Sequence, residues 1–97
     1  MLRALFGMGP KVDLTQVLAQ DATIVDVRTK SEYAEGHVKG SINIPLDSLT
    51  QNLHRIPKGK PVVTCCRSGM AVDVLKGQGF EAYNGGPWTS LNNLLKK

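Results

Sequence analysis

The sequence predicts an α/β domain with a mainly parallel central sheet flanked by helices. Two observations lead there. Short apolar runs that read as buried strands alternate with segments whose apolar residues recur at helical spacing. The 97 residues, 41% of them hydrophobic, suffice for one core and not for two. The expected organisation is a single domain over residues 1–97, with 1–11 as an N-terminal extension.

In KVDLTQVLAQ, Asp13 is placed to cap a helix start, Gln16 follows as a loose capping-box partner, and Leu14, Val17 and Leu18 share one face. ATIVDVRT carries Ile24, Val25 and Val27 as a buried strand that runs out into charge at Asp26 and Arg28. SEYAEGHVKG is rich in turn formers, with Gly36 and Gly40 bracketing His37, and SINIP is a brief strand closed by Pro45. Leu46, Leu49, Leu53 and Ile56 recur at helical spacing up to Pro57, which predicts a helix of about three turns. GKPVVTC is the next strand, cored by Val62 and Val63. AVDVLKGQGF reads as a short helix ended by glycine, EAYNGG as a last strand and turn, and TSLNNLLKK as a closing helix with lysines near its negative end.

Charge and composition exclude several functions. Twelve Lys and Arg against eight Asp and Glu give a formal net charge of +4, a field that favours anionic partners. The basic residues are scattered and only 5% of the chain is aromatic, which argues against nucleic-acid binding. MLRALFGMGP breaks at Gly7, Gly9 and Pro10, too early for a signal segment or a membrane span, so neither export nor a membrane partner is expected. Cys65 and Cys66 are sequence neighbours, and ordinary disulfide geometry does not suit neighbours. They are expected to be thiols in a reducing, cytoplasmic setting.

In open parallel sheets ligands bind beyond the carboxyl ends of the strands, where loops run into helix starts. DVRT and TCCRSG both occupy such ends. A thiol between a strand and a helix start meets backbone N–H groups and the positive end of the helix dipole, and both favour the nucleophilic thiolate. Arg67 adds anion stabilisation, and Gly69 lets backbone amides approach a bound anion. Such a loop suits a phosphate, a sulfur oxyanion or a persulfide, so spacing alone fits both cysteine phosphatases and sulfur transferases. Asp26 and Arg28 are placed to pair and fix the neighbouring loop. Cys65 and Cys66 could also simply fill core space at a strand end, His37 reads as a structural hydrogen-bonding histidine and Trp88 as packing.

Three motifs in order resemble the rhodanese-like domains, especially the single-domain bacterial sulfurtransferases. IVDVRTKSEYAEGHVKGSINIP is similar to the N-terminal signature, with Asp26, Arg28, Glu32, Tyr33, Gly36, His37, Gly40, Asn43 and Pro45 at matching positions. KPVVTCCRSG resembles the strand and active-site loop, and GFEAYNGGPW the closing glycine pair with tryptophan. The resemblance spans roughly residues 12 to 92. It implies Cys66 as a nucleophile that takes sulfur from thiosulfate or another sulfane-sulfur donor, becomes a persulfide, and passes the sulfur to cyanide or a thiol, including a protein thiol. It implies Arg67, Ser68, Gly69 and Met70 as the substrate-binding residues and Asp26 and Arg28 as supporting ones. Covalent chemistry of this kind calls for no metal and no cofactor.

The resemblance breaks in one place. Loops of this family run from cysteine to an arginine five positions on, where this chain has Ala71, whereas RSGMAVDVL itself resembles the end of such a loop and the start of its helix. About four residues, roughly one helical turn, are expected to be absent between cysteine and helix, from the segment that builds the anion cradle. The alternative function is a catalytically weak or inactive rhodanese-like module that binds a protein. A phosphatase ranks below both, because a phosphate ester needs a roomier cradle.

Overall fold

In the computed structural model of the chain, residues 13–65 and 69–95 are described. They form a four-stranded, all-parallel sheet in the order β2-β1-β3-β4, with β1 Thr23–Asp26, β2 Ile42–Asn43, β3 Val62–Cys65 and β4 Ala82–Asn84. Four α-helices accompany it: α1 Leu14–Leu18, α2 Lys30–Glu35, α3 Met70–Gly77 and α4 Trp88–Leu95. The α/β class and the parallel sheet follow the sequence reading. Parallel strands need crossover connections, and the helical segments between the apolar runs supply them.

Side-chain alternation along β3 sorts the core into two layers. Val62 joins Val25, Ile44, Leu49, Ile56, Ala71, Val72 and Leu75 on one face, whereas Val63 and Cys65 join Val17, Val38 and Leu91 on the other. The first face is covered by α3 and the segment after β2, the second by α1 and α4. Every residue of β3 is buried, as expected for a strand covered on both sides.

Two elements differ from the sequence reading. Lys30–Glu35, read as turn-rich connection, is helical, and a complete capping box starts it: the Thr29 hydroxyl accepts from the Glu32 N–H while the Glu32 carboxylate accepts from the Thr29 N–H. The expected three-turn helix after Pro45 is instead two 3-10 segments, Leu46–Ser48 and Thr50–Arg55. Asn52 departs from helical geometry at φ −124°, and its amide donates to the Ser48 carbonyl at 2.8 Å. Apolar residues three apart, as in Leu46 and Leu49, stack on one face of a helix with three residues per turn as well as on an α-helix.

Gly85 holds β4 and α4 together. A Cβ there would stand 2.7 Å from Leu91 Cδ1 and 2.8 Å from Val63 Cγ1, both in the core of the second face. Gly85→Ala is therefore expected to lower stability by about 1–3 kcal/mol through overpacking, read as a fall in the urea midpoint. An unchanged midpoint would mean that α4 can move outward at no cost.

Candidate functional site

The carboxyl ends of β1 and β3 lie side by side, and their register sets Asp26 opposite Cys65. Both residues are buried, Asp26 completely. A carboxylate out of water must be paired, and Arg28 does this from two residues on. Its Nε donates to Asp26 Oδ1 at 2.9 Å and Oδ2 at 3.1 Å, its Nη2 donates to Oδ2 at 2.7 Å, and its backbone N–H donates to Oδ1 at 3.0 Å. The Asp26 hydrogen bonds raise the Arg28 pKa above its ordinary value. Burial works against this, and Coulombic attraction from Asp26, Cys65 and Glu32 adds to it.

Arg28 also ties this edge to two other parts of the chain. Nη2 donates to the Gly36 carbonyl at 2.7 Å, just past α2, and the guanidinium lies 5.6 Å from the centroid of the Trp88 ring, at the start of α4. Trp88 presses on Gly36 itself, where a Cβ would fall 2.7 Å from Cζ2. Glycine at 36 thus lets the indole and the guanidinium close over one backbone segment. His37, next along, stacks on Tyr33 with ring centroids 3.7 Å apart, and its Nδ1 stands 2.6 Å from the Tyr33 carbonyl oxygen. Tyr33 in turn donates its hydroxyl proton to the Ser41 carbonyl at 2.6 Å.

The loop that leaves β1 is fixed from below by Asn43. Its Nδ2 donates to the Asp26 and Arg28 carbonyls, each at 3.0 Å, so both amide hydrogens are used on the loop that carries the ion pair. Arg55 donates to the Asn43 carbonyl at 3.3 Å. Sequence reasoning placed Asn43 in a motif and gave it no role. The signal that could have found it is an amide side chain at the carboxyl end of a strand, immediately before the chain is turned at Pro45.

Of the residues singled out from the sequence, Asp26 and Arg28 meet as expected at the edge next to Cys65. Gly69 is the N-cap of α3, with φ −85° and ψ 7°, and its carbonyl accepts from the Asp73 N–H at 3.0 Å. Met70 opens that helix with 60% of its surface exposed. Cys66, Arg67 and Ser68 lie outside the described residues. The described chain thus places the end of a fully buried strand and the start of a packed helix on either side of three residues. Among the described residues no three His, Cys, Asp or Glu converge as a metal site, and no helix is long and apolar enough to cross a membrane.

The family model described as Rhodanese-like domain matches residues 12–86. The chain is 41% identical over 68 residues to the protein called Uncharacterized protein YqhL from Bacillus subtilis (strain 168), covering 65% of this chain and 54% of the relative. It is 38% identical over 58 residues to a protein called Sulfurtransferase from Allochromatium vinosum, covering 58% of this chain and 54% of that one. The chain therefore spans about half the length of these relatives. Among solved structures, a rhodanese-like domain protein from Staphylococcus aureus superimposes with a TM-score of 0.64 at 29% identity, covering 73% of this chain and 74% of the other.

Proposed function

Because the chain belongs to the rhodanese-like domain family, we propose that it is a sulfurtransferase, carrying sulfur on Cys66 as a persulfide in a reducing compartment such as the cytoplasm. The observation that carries the reading is positional. Cys65, which precedes Cys66 in the chain, ends β3 opposite Asp26 of the Asp26–Arg28 pair, and α3 begins after Gly69. A relative named for sulfur transfer supports the same reading.

In the proposed reaction the Cys66 thiolate attacks the outer sulfur of thiosulfate. A new S–S bond forms, the bond from that sulfur to the sulfonate group breaks, and sulfite leaves with the electron pair. An acceptor, cyanide or a thiolate on another protein, then attacks the terminal sulfur and takes it. The S–S bond electrons return to Cys66, which is again a thiolate. Each step exchanges one sulfur nucleophile for another, so no metal or redox cofactor enters. Arg67 and the amides of Ser68, Gly69 and Met70 bind the anionic sulfur, and Asp26 and Arg28 hold the adjoining loop.

Incubation with thiosulfate, desalting and intact-mass measurement should show one added sulfur that cyanide removes and that Cys66→Ser abolishes. A folded protein that takes up no sulfur from thiosulfate or from a low-molecular-weight persulfide would overturn the proposal. It would favour the second reading, a catalytically silent module that binds a protein. The feature behind that reading is Ala71, which stands where the family pattern has its closing arginine.

A further inference from the structure

The end of the sheet opposite Cys65 carries a cleft that the proposed sulfur transfer does not use. It has a volume of about 210 Å³ and is lined by Lys58, Gly59, Lys60, Gln78, Gly79 and Phe80, together with Glu81. These residues come from the turn before β3 and the turn between α3 and β4. The second turn is well fixed. Gly79 takes φ +91°, its N–H donates to the Lys76 carbonyl at 3.1 Å, and the Phe80 N–H donates to the Leu75 carbonyl at 3.0 Å. Those bonds satisfy carbonyls that would otherwise give the end of α3 its negative potential.

The balance of charge at the cleft is positive. Lys58 holds its ammonium 5.6 Å from the centroid of the Phe80 ring, and Lys76 sits on the last turn of α3. Among the described residues neither is in an ion pair. Lys60 pairs with Asp21 at 2.9 Å, but the Asp21 side chain is 82% exposed. A pair that open to water is worth little and yields readily to another anion. Glu81 offsets one of these cations, and its carboxylate accepts a 2.6 Å hydrogen bond from the Tyr83 hydroxyl. Tyr83 packs with the second core layer, whereas Phe80 belongs to the first. Two lysines against this one acid leave the lining with a net positive charge.

We propose that this cleft is a docking site for an acidic protein segment, one carboxylate side chain entering between Lys58 and Lys60 while Lys76 supplies charge for the acids beside it. Lys58 and Lys60 on the lining, and Lys76 on the last turn of α3, stand at separate positions on flexible stems and lack the planar fork of arginine. Such point charges suit several carboxylates spread along a chain better than a single compact oxyanion. The site lies at the amino ends of β3 and β4, so a partner held there leaves the Cys65 end of the sheet open. The proposal does not depend on whether Cys66 carries sulfur.

The test is a titration of the isotope-labelled chain with a glutamate hexapeptide, and separately with inorganic phosphate, following backbone amide resonances. The peptide is expected to shift Gly59, Gly79 and Phe80 saturably while Gly69 and Met70 stay in place. The double variant K58Q/K60Q, with fold checked by circular dichroism, should bind about tenfold more weakly or worse. Lys39→Gln, in the turn leading into β2 on the far side of the sheet, should bind as the parent does. Absence of saturable shifts, shifts centred on Gly69, or phosphate matching the peptide at equal concentration would each overturn the proposal, the last by showing a simple anion site only.

Discussion

Arg28→Ala is expected to destabilise the domain by about 3–5 kcal/mol, measured as the loss of unfolding free energy in urea. The large effect comes from what remains behind. Asp26 is completely buried, and the substitution strips away the three side-chain hydrogen bonds from Arg28 that compensate its charge. Small domains have a total stability of only about 5–15 kcal/mol, so the variant is expected near the edge of unfolding. The double variant D26N/R28Q should recover much of the loss, because it removes the stranded charge along with its partner. A loss below about 1 kcal/mol for the single change, the scale of an exposed ion pair, would show that water reaches Asp26 and that the pair is not the lock described.

Inserting a glycine-containing segment of about four residues, roughly one helical turn, after Cys66 is expected to raise thiosulfate-to-cyanide transfer by about a hundredfold or more. The reason lies in what stands on either side of the loop. β3 is buried at every residue, and α3 is anchored by Ala71, Val72 and Leu75, so strand and helix do not depend on loop length for their packing. A short loop offers fewer N–H groups to converge on a persulfide, and each preorganised donor to a developing anion counts for much of the rate. Circular dichroism of both forms separates an effect on the site from one on folding. Should the parent chain already match the lengthened one, CCRSGMA is a complete site and the loop is not short of anything.

Much of this structure could be read from the sequence where burial writes a pattern. β1 and β3 each carry a pair of adjacent apolar residues, Ile24–Val25 and Val62–Val63, because side chains on both faces of the sheet meet cover, and α3 shows its buried Ala71, Val72 and Leu75 at helical spacing. α2 left no such pattern, since none of its residues is buried. Its only local signal is the Thr29–Glu32 capping box, which the glycines around His37 obscured. The 3-10 segments were misread because a spacing of three serves two helix types, and the choice was made by Asn52 bonding to its own backbone. At the site, the Asp26–Arg28 pairing is local and could be expected from two residues of separation. The meeting of Arg28, Gly36 and Trp88 joins positions far apart in the chain, and no local pattern announces it.

The strand order has a consequence for how the molecule comes into being. β1 is made before either of the strands that flank it, and its pairing with β2 needs only the short stretch through α2, whereas its pairing with β3 waits for residues 62–65. Until then one side of β1 has no hydrogen-bonding neighbour, and closing the long intervening loop is the slow, entropically costly event in assembling such a sheet. Cys65 is the last residue of the strand whose arrival ends that wait. During synthesis, the sheet therefore gains its centre and the thiol-bearing loop gains its foundation in the same step, and a nascent chain that stops short of that strand has neither.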